Sequence, residues 1–219
     1  MAARSDNSID ESFSSLSNHT GEGVVIDIGT GDGRYVLAAA RSNANKFFIG
    51  IDANVKPLEK PSMKATRKPA KGGLPNAMFV QAAIEDLPDE LDGVADEIHI
   101  HFPWGSLLRA VAAGEEAVLR SLCRIAAPGC LLEIVIGIDR ERDKTEIERL
   151  GIPELSPAYL KGTLAPKFSE AGFRLLDHGE LAGERWRSLE TSWARRLGNT
   201  GSRSVTYLLL EKLRPPASR

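Results

Sequence analysis

Cysteine is nearly absent: Cys123 and Cys130 are the only two in 219 residues. That excludes a disulfide framework and leaves no paired Cys-x-x-Cys spacing for a zinc ribbon. Long apolar runs are missing as well. Nothing approaches the ~20 residues a membrane-spanning helix needs, and the stretch from Met1 to Thr20 holds no hydrophobic leader core. A cytoplasmic protein with no membrane partner is expected, in which the sequon-like Asn18-His19-Thr20 carries no meaning. A large net charge is also lacking, since 28 Lys and Arg against 30 Asp and Glu give −2. Bulk attraction to a polyanion is therefore not evident.

What is present is ordinary for a globular chain, 42% hydrophobic and 26% charged, and long enough for one domain with a sizeable core. Met1 to Thr20 is rich in Ser, Asn and Asp, so residues 1–20 are expected to be a mobile segment. A single domain over 21–213 and a short tail over 214–219 complete the chain. The charge is unevenly spread. Lys56, Lys60, Lys64, Arg67, Lys68 and Lys71 crowd one stretch with only Glu59 opposing them, while Asp86, Asp89, Glu90, Asp92, Asp96 and Glu97 crowd another. Segregation of this kind makes a polyanion-binding face on a slightly acidic protein. Taken alone, the lysines read more plainly as a solvated helix face.

The chain is organised around Val24-Val25-Ile26-Asp27-Ile28-Gly29-Thr30-Gly31-Asp32-Gly33-Arg34. Branched apolar residues lead into a glycine turn, and Tyr35 to Arg41 then read as a helix. Glycine lets the backbone reverse and approach a ligand closely. The helix start offers free N–H groups to it. A second strand, Lys46 to Ile51, ends in Asp52, where a Rossmann-type sheet sets an acid against ribose hydroxyls. Arg34 stands where a dinucleotide fingerprint wants its last glycine. The Gly-x-Gly-x-Gly form with Asp27 and Asp52 favours S-adenosylmethionine (SAM) as cofactor over a turn that binds nothing.

The remaining elements fall in α/β order. Val55 to about Arg67 reads as a helix, and Lys68 to Asn76 as a breaker-rich loop. Met78 to Gln81 is a third strand, and the exit through Ala83, Glu85 and Asp86 lies where such sheets hold adenine, although Glu85 or Asp86 equally suits a helix N-terminal charge. Ala95 to Phe102 is a fourth strand with His99 and His101 on one face. With no third ligand in view, packing and hydrogen bonding suit these histidines better than a metal. Pro103-Trp104-Gly105-Ser106 ends that strand at the carboxyl edge, where open α/β sheets bind ligands. A helix then runs to Cys123, and Pro128-Gly129 separates it from strand five, Leu131 to Ile138. Asp139 to Glu148 reads as a charged, solvent-facing insertion. A helix from Ser156-Pro157 to Glu170, strand six from Phe173 and strand seven over Ser204 to Glu211 finish the count. The fold class is α/β, a Rossmann-like seven-stranded class I SAM-dependent methyltransferase. Between the last two strands, Leu189 to Leu197 places Trp193 among hydroxyls and paired arginines, a stacking plane beside phosphate binders or an amphipathic helix with one core tryptophan.

Four stretches together resemble a specific family: Asp27 to Gly33, Lys68-Pro-Ala-Lys-Gly-Gly-Leu-Pro-Asn76, Phe102-Pro-Trp-Gly-Ser-Leu-Leu108 and Thr191-Ser-Trp-Ala-Arg-Arg-Leu197. They are similar to the aminoglycoside-resistance methyltransferases of the kanamycin–apramycin type, which modify N1 of a decoding-site adenosine in 16S rRNA. The resemblance implies a monomer acting on the 30S subunit. It implies that Asp27, Gly29, Thr30, Gly31, Asp32 and Gly33 hold the methionine end of SAM. Asp52 with Ala53 would hold the ribose, and Ala83, Ile84 and Glu85 the adenine. Trp104 and Trp193 would sandwich the flipped target base, with Pro103 and Ser192 beside them, and Thr191 and Ser192 would reach cofactor or base. Lys64, Arg67, Lys68, Lys71, Arg195, Arg196 and Arg203 would grip rRNA phosphates. No metal is implied.

Other readings remain. A tRNA guanine-N7 methyltransferase also ends strand four in Phe-Pro, but Gly105 to Leu108 replaces the basic run expected there. A non-catalytic ribosome-binding factor would not need the intact glycine loop and Asp52. A small-molecule methyltransferase would not need the basic loop.

Overall fold

The computed structural model describes residues 22–181 and 204–214. Among them, seven strands form one mixed sheet in the order β3-β2-β1-β4-β5-β7-β6. The strands are β1 (Val24–Ile28), β2 (Phe47–Asp52), β3 (Ala77–Gln81), β4 (Ala95–His101), β5 (Ala126–Ile138), β6 (Phe173–Glu180) and β7 (Ser204–Lys212). The first five run parallel, and β7 is antiparallel to both β5 and β6. The helices are α1 (Arg34–Ser42), α2 (Val55–Ala65), α3 (Gly105–Ala113), α4 (Glu116–Ile125) and α5 (Lys144–Leu150). A last helical run, α6, comprises Pro157–Tyr159, a π turn over Leu160–Leu164 and Ala165–Glu170.

Period-two alternation assigns the two faces of the sheet. Ile26, Ile98, Ile100, Leu132 and Ile134 are wholly buried and enter the main core with Leu108, Leu119, Phe168 and Phe173. Each such side chain contributes roughly 1.5–3 kcal/mol by leaving water. The opposite face is split. Val25, Val36, Leu37, Ala40 and Phe48 form one apolar cluster under α1, and Phe102, Val135 and Val205 form another. Asp27, His99 and Glu133, which are register neighbours on β1, β4 and β5, run between them.

Several boundaries differ from the expectation. The helix after Gly105 is two helices, because the N–H of Gly114 returns to the Ala110 carbonyl and closes α3. Pro128-Gly129 lies inside β5: Ala95 pairs with Ala126 but Glu97 with Leu131, so the breaker pair is absorbed as a register shift. The charged stretch after Asp139 is not a solvent-facing insertion throughout. It forms α5, whose Ile147 and Leu150 pack on the main core. Ser156 does start α6, its hydroxyl accepting from the Tyr159 N–H. The expectations placed on residues 1–20, on Thr191, Ser192, Trp193, Arg195, Arg196 and Arg203, and on the tail beyond Arg214 lie outside the described residues.

Candidate active site

The strand order reverses between β1 and β4, so loops from neighbouring strands diverge there and open a crevice at the carboxyl edge. A cavity of 540 Å³ occupies it, within the size range of small-molecule sites. Asp27, Gly29, Thr30, Gly31 and Asp32 come to it from β1, and Asp52 and Ala53 from β2. Ala83, Ile84 and Glu85 reach it from β3, Pro103 and Trp104 from β4. One expected cofactor contact is absent. Gly33 does not line the cavity; a Cβ there would stand 2.5 Å from Phe79 and 2.7 Å from Pro61, at φ +66. It is a packing glycine, needed because α1 starts against β3 and α2.

Asp52 ties two loops together. One carboxylate oxygen accepts from the Gly31 N–H at 2.9 Å and the other from the Asn54 N–H at 2.9 Å. Each oxygen keeps acceptor capacity for a hydroxyl. Asp27 is 4% exposed, and burial pushes its carboxyl above the usual range. The His101 and His99 rings and the nearby Thr30 hydroxyl oppose that shift, and Asp52 adds to it. Thr30 Oγ1 itself is sealed from solvent without a hydrogen-bond partner.

Four carboxylates, Asp27, Asp32, Asp52 and Glu85, line the described cavity, and no Lys or Arg does. Asp32 is partly compensated by Arg34 at 3.0 Å. This wall repels a pyrophosphate and suits a ligand bearing positive charge along with hydroxyls.

At the rim, Phe102 has φ 51, the one positive value outside glycine among the described residues. Such backbone costs roughly 1–3 kcal/mol. It is held by the Phe102 N–H bond to Val135 at 2.7 Å and by burial of the ring against Val135 and Val205. The twist sets Pro103 and Trp104 over the cavity mouth, with Trp104 39% exposed. Leu107, on the first turn of α3, closes over Gly29 from the other side, 2.8 Å from where a Cβ would lie. Reading the sequence missed Tyr35, Ser106 and Leu107 as lining residues. It took His101 for packing and hydrogen bonding, and the ring also borders the cavity.

The basic stretch follows directly on β2. Lys64, Arg67, Lys68 and Lys71 are all exposed, as are Lys56 and Lys60, and none has an ion pair within the described residues. The loop is compact: Pro69–Lys71 form a 3-10 turn, the Gly73 N–H returns to the Lys68 carbonyl, and the Leu74 N–H bonds the Ala65 carbonyl. A Cβ at Gly73 would fall 1.7 Å from the Arg67 carbonyl oxygen. Glycine lets the chain cross itself and present the cations on a fixed platform.

An acid-lined cavity at the switch point, an aromatic at its rim and, elsewhere on the chain, a run of unpaired cations suit a methyltransferase that acts on nucleic acid. The NpmA family, 16S rRNA (adenine(1408)-N(1))-methyltransferase, matches residues 6–212. The chain belongs to this family. A member from Streptoalloteichus tenebrarius is 38% identical over 193 residues, covering 88% of each chain. The crystal structure of the aminoglycoside-resistance methyltransferase NpmB1 is 47% identical, covers 94% of this chain and 92% of its own, and superposes with a TM-score of 0.79. A tryptophan-to-alanine mutant of the enzyme from Catenulisporales acidiphilia, crystallised with its cosubstrate SAM, is 34% identical with a TM-score of 0.84, covering 96% and 93%. The family resemblance and the Rossmann-like seven-stranded fold thus agree with the sequence reading. Among the described residues, no helix is long and apolar enough to cross a membrane.

Proposed function

We propose that the protein transfers the methyl group of SAM to N1 of adenosine 1408 in 16S rRNA, working as a monomer on the assembled 30S subunit in the cytoplasm, and so confers aminoglycoside resistance. The observation that carries this reading is that one chain bears both a carboxylate-lined cavity free of Lys and Arg and, on α2 and the loop after it, exposed cations with no ion pair among the described residues. The first fits a sulfonium amino acid attached to a nucleoside, and the second fits RNA phosphates.

SAM supplies an electrophilic methyl group on a positively charged sulfur. Asp27 takes the α-ammonium group, and Asp52 the ribose hydroxyls. Ala83 and Glu85 flank the adenine of the cofactor. The target base is flipped from the RNA and stacked between Trp104 and Trp193, a contact worth roughly 1–3 kcal/mol per face. Adenine N1 carries an in-plane lone pair and no proton at neutral pH, so this chain provides no general base. Its task is to align N1 with the S–CH₃ bond and exclude water. Two indole faces would suit the cationic ring that methylation at N1 leaves. Lys64, Arg67, Lys68, Lys71, Arg195, Arg196 and Arg203 hold the RNA backbone.

The test is reverse-transcription mapping of small-subunit rRNA from cells expressing the protein. A stop at adenosine 1408, with kanamycin resistance, is the expected result. An unmodified adenosine there in cells that contain soluble protein would overturn the reading.

A further inference from the structure

His99 and His101 stand two residues apart on β4 and therefore project from the same face of the sheet. Their hydrogen bonding differs. His99 has both ring nitrogens engaged, Nδ1 with the Tyr35 hydroxyl at 2.5 Å and Nε2 with Glu97 at 3.5 Å. His101 has one. Its Nε2 lies 2.6 Å from Oε1 of Glu133, while Nδ1 is sealed from solvent with no partner. The residue is 7% exposed, and a buried polar atom left unsatisfied is costly. Nor can the ring swing away, being stacked on His99 at 5.1 Å and met edge-on by Tyr35 at 5.0 Å.

Position gives this orphan nitrogen a purpose. Asp27 is the register partner of His99, so His101 comes one pleat repeat nearer the carboxyl edge, where the glycine loop begins. Asp27, Tyr35 and His101 line the same cavity. We propose that His101 is a second ligand for the methionine end of SAM, its Nδ1 accepting a hydrogen bond from the α-ammonium group that Asp27 holds by charge. The proposal rests on the SAM reading above. Glu133, whose carboxyl is held below its usual range chiefly by its bond to His101, accepts from Nε2–H. In the singly protonated ring that contact leaves the lone pair on Nδ1. An ammonium group has three donors, and an imidazole acceptor beside Asp27 adds a directed contact. His99, saturated by Tyr35 and Glu97, buttresses the ring and contacts no ligand.

Calorimetric titration with two nucleosides tests this. S-adenosylhomocysteine carries the amino-acid end, and 5′-methylthioadenosine lacks it. His101→Leu is expected to weaken S-adenosylhomocysteine about ten-fold, the ratio that ~1.4 kcal/mol sets, and to leave 5′-methylthioadenosine unchanged. His101→Asn, which puts an amide near the place of Nδ1, is expected to recover much of the loss. Equal weakening of both ligands, no weakening of either, or an Asn variant no better than Leu would overturn the assignment. Wild-type protein that bound neither ligand would overturn the SAM reading and this one with it.

Discussion

The cavity and the basic platform begin four residues apart, at Asp52 and Lys56, yet they handle charge in opposite ways. In the cavity, carboxylates converge and cations are kept out of the lining. On α2 and the loop after it, cations gather and carboxylates do not answer them. Elsewhere among the described residues, many cations are paired. Arg109 pairs with Glu115, Arg120 with Glu116, Arg124 with Asp89 and Asp92, Arg149 with Glu146, and Arg174 with Glu211. Such exposed pairs add little stability, but they neutralise cations of a kind that the basic stretch leaves unpaired. A protein of net charge −2 can thus present one local field to a cationic ligand and another to a polyanion.

Trp104 lines the cavity from the end of β4, and its removal should have the largest effect. Trp104→Ala is expected to abolish methylation and kanamycin resistance while SAM binding and 30S binding stay within about two-fold. Trp193→Ala should behave alike, with Trp193→Phe retaining more activity because a π face remains. Full resistance in both alanine variants, at matched expression, would falsify the sandwich.

Asp27→Asn attacks the cavity alone. Charge-assisted hydrogen bonds are worth ~1.5–3 kcal/mol, so SAM affinity should fall between about 10- and 100-fold, with 30S affinity unchanged. Stability should move the other way. A carboxyl raised by burial holds its proton more tightly folded than unfolded, so the ligand-free protein gains stability as pH falls from above the folded pKa toward the unfolded value. The neutral Asn should therefore match or raise the Tm of the ligand-free protein at pH 7, and flatten its rise on mild acidification. A Tm drop together with intact SAM binding would show that Asp27 is structural.

The platform is tested by Lys68→Glu and Lys71→Glu. Each should weaken 30S binding roughly ten-fold at low salt and reduce the slope of log affinity against log salt by about one. Titration with SAM should give wild-type values; coupled loss of both would mean the two regions are not separable. Gly73→Ala should have the smallest effect. Its Cβ cannot coexist with the Arg67 carbonyl, so the loop must open and scatter its cations. A few-fold loss of 30S affinity is expected, with the SAM constant again unmoved.

Much of this was legible in the chain. Val24 to Gly33 announces a strand and a cofactor turn because β-branched residues and glycines at that spacing have few other uses. The breaker content of Lys68 to Asn76 marks a loop for the same reason. What sequence could not supply were contacts between residues far apart. Gly33 and Gly29 look equivalent in the motif, but only the packing of Phe79 and Pro61 makes one structural and leaves the other on the cavity wall. His99 and His101 share a face by simple alternation. Which of them has a free nitrogen depends on Tyr35 from α1 and Glu133 from β5. The strain at Phe102 is also invisible locally, since it is imposed by Val135 and Val205 from strands that follow much later. Local pattern set the elements and their order, because propensity and periodicity act over a few residues. Tertiary packing decided which polar atoms remained unsatisfied at the cavity, because that depends on what every neighbouring element brings to the same few ångströms.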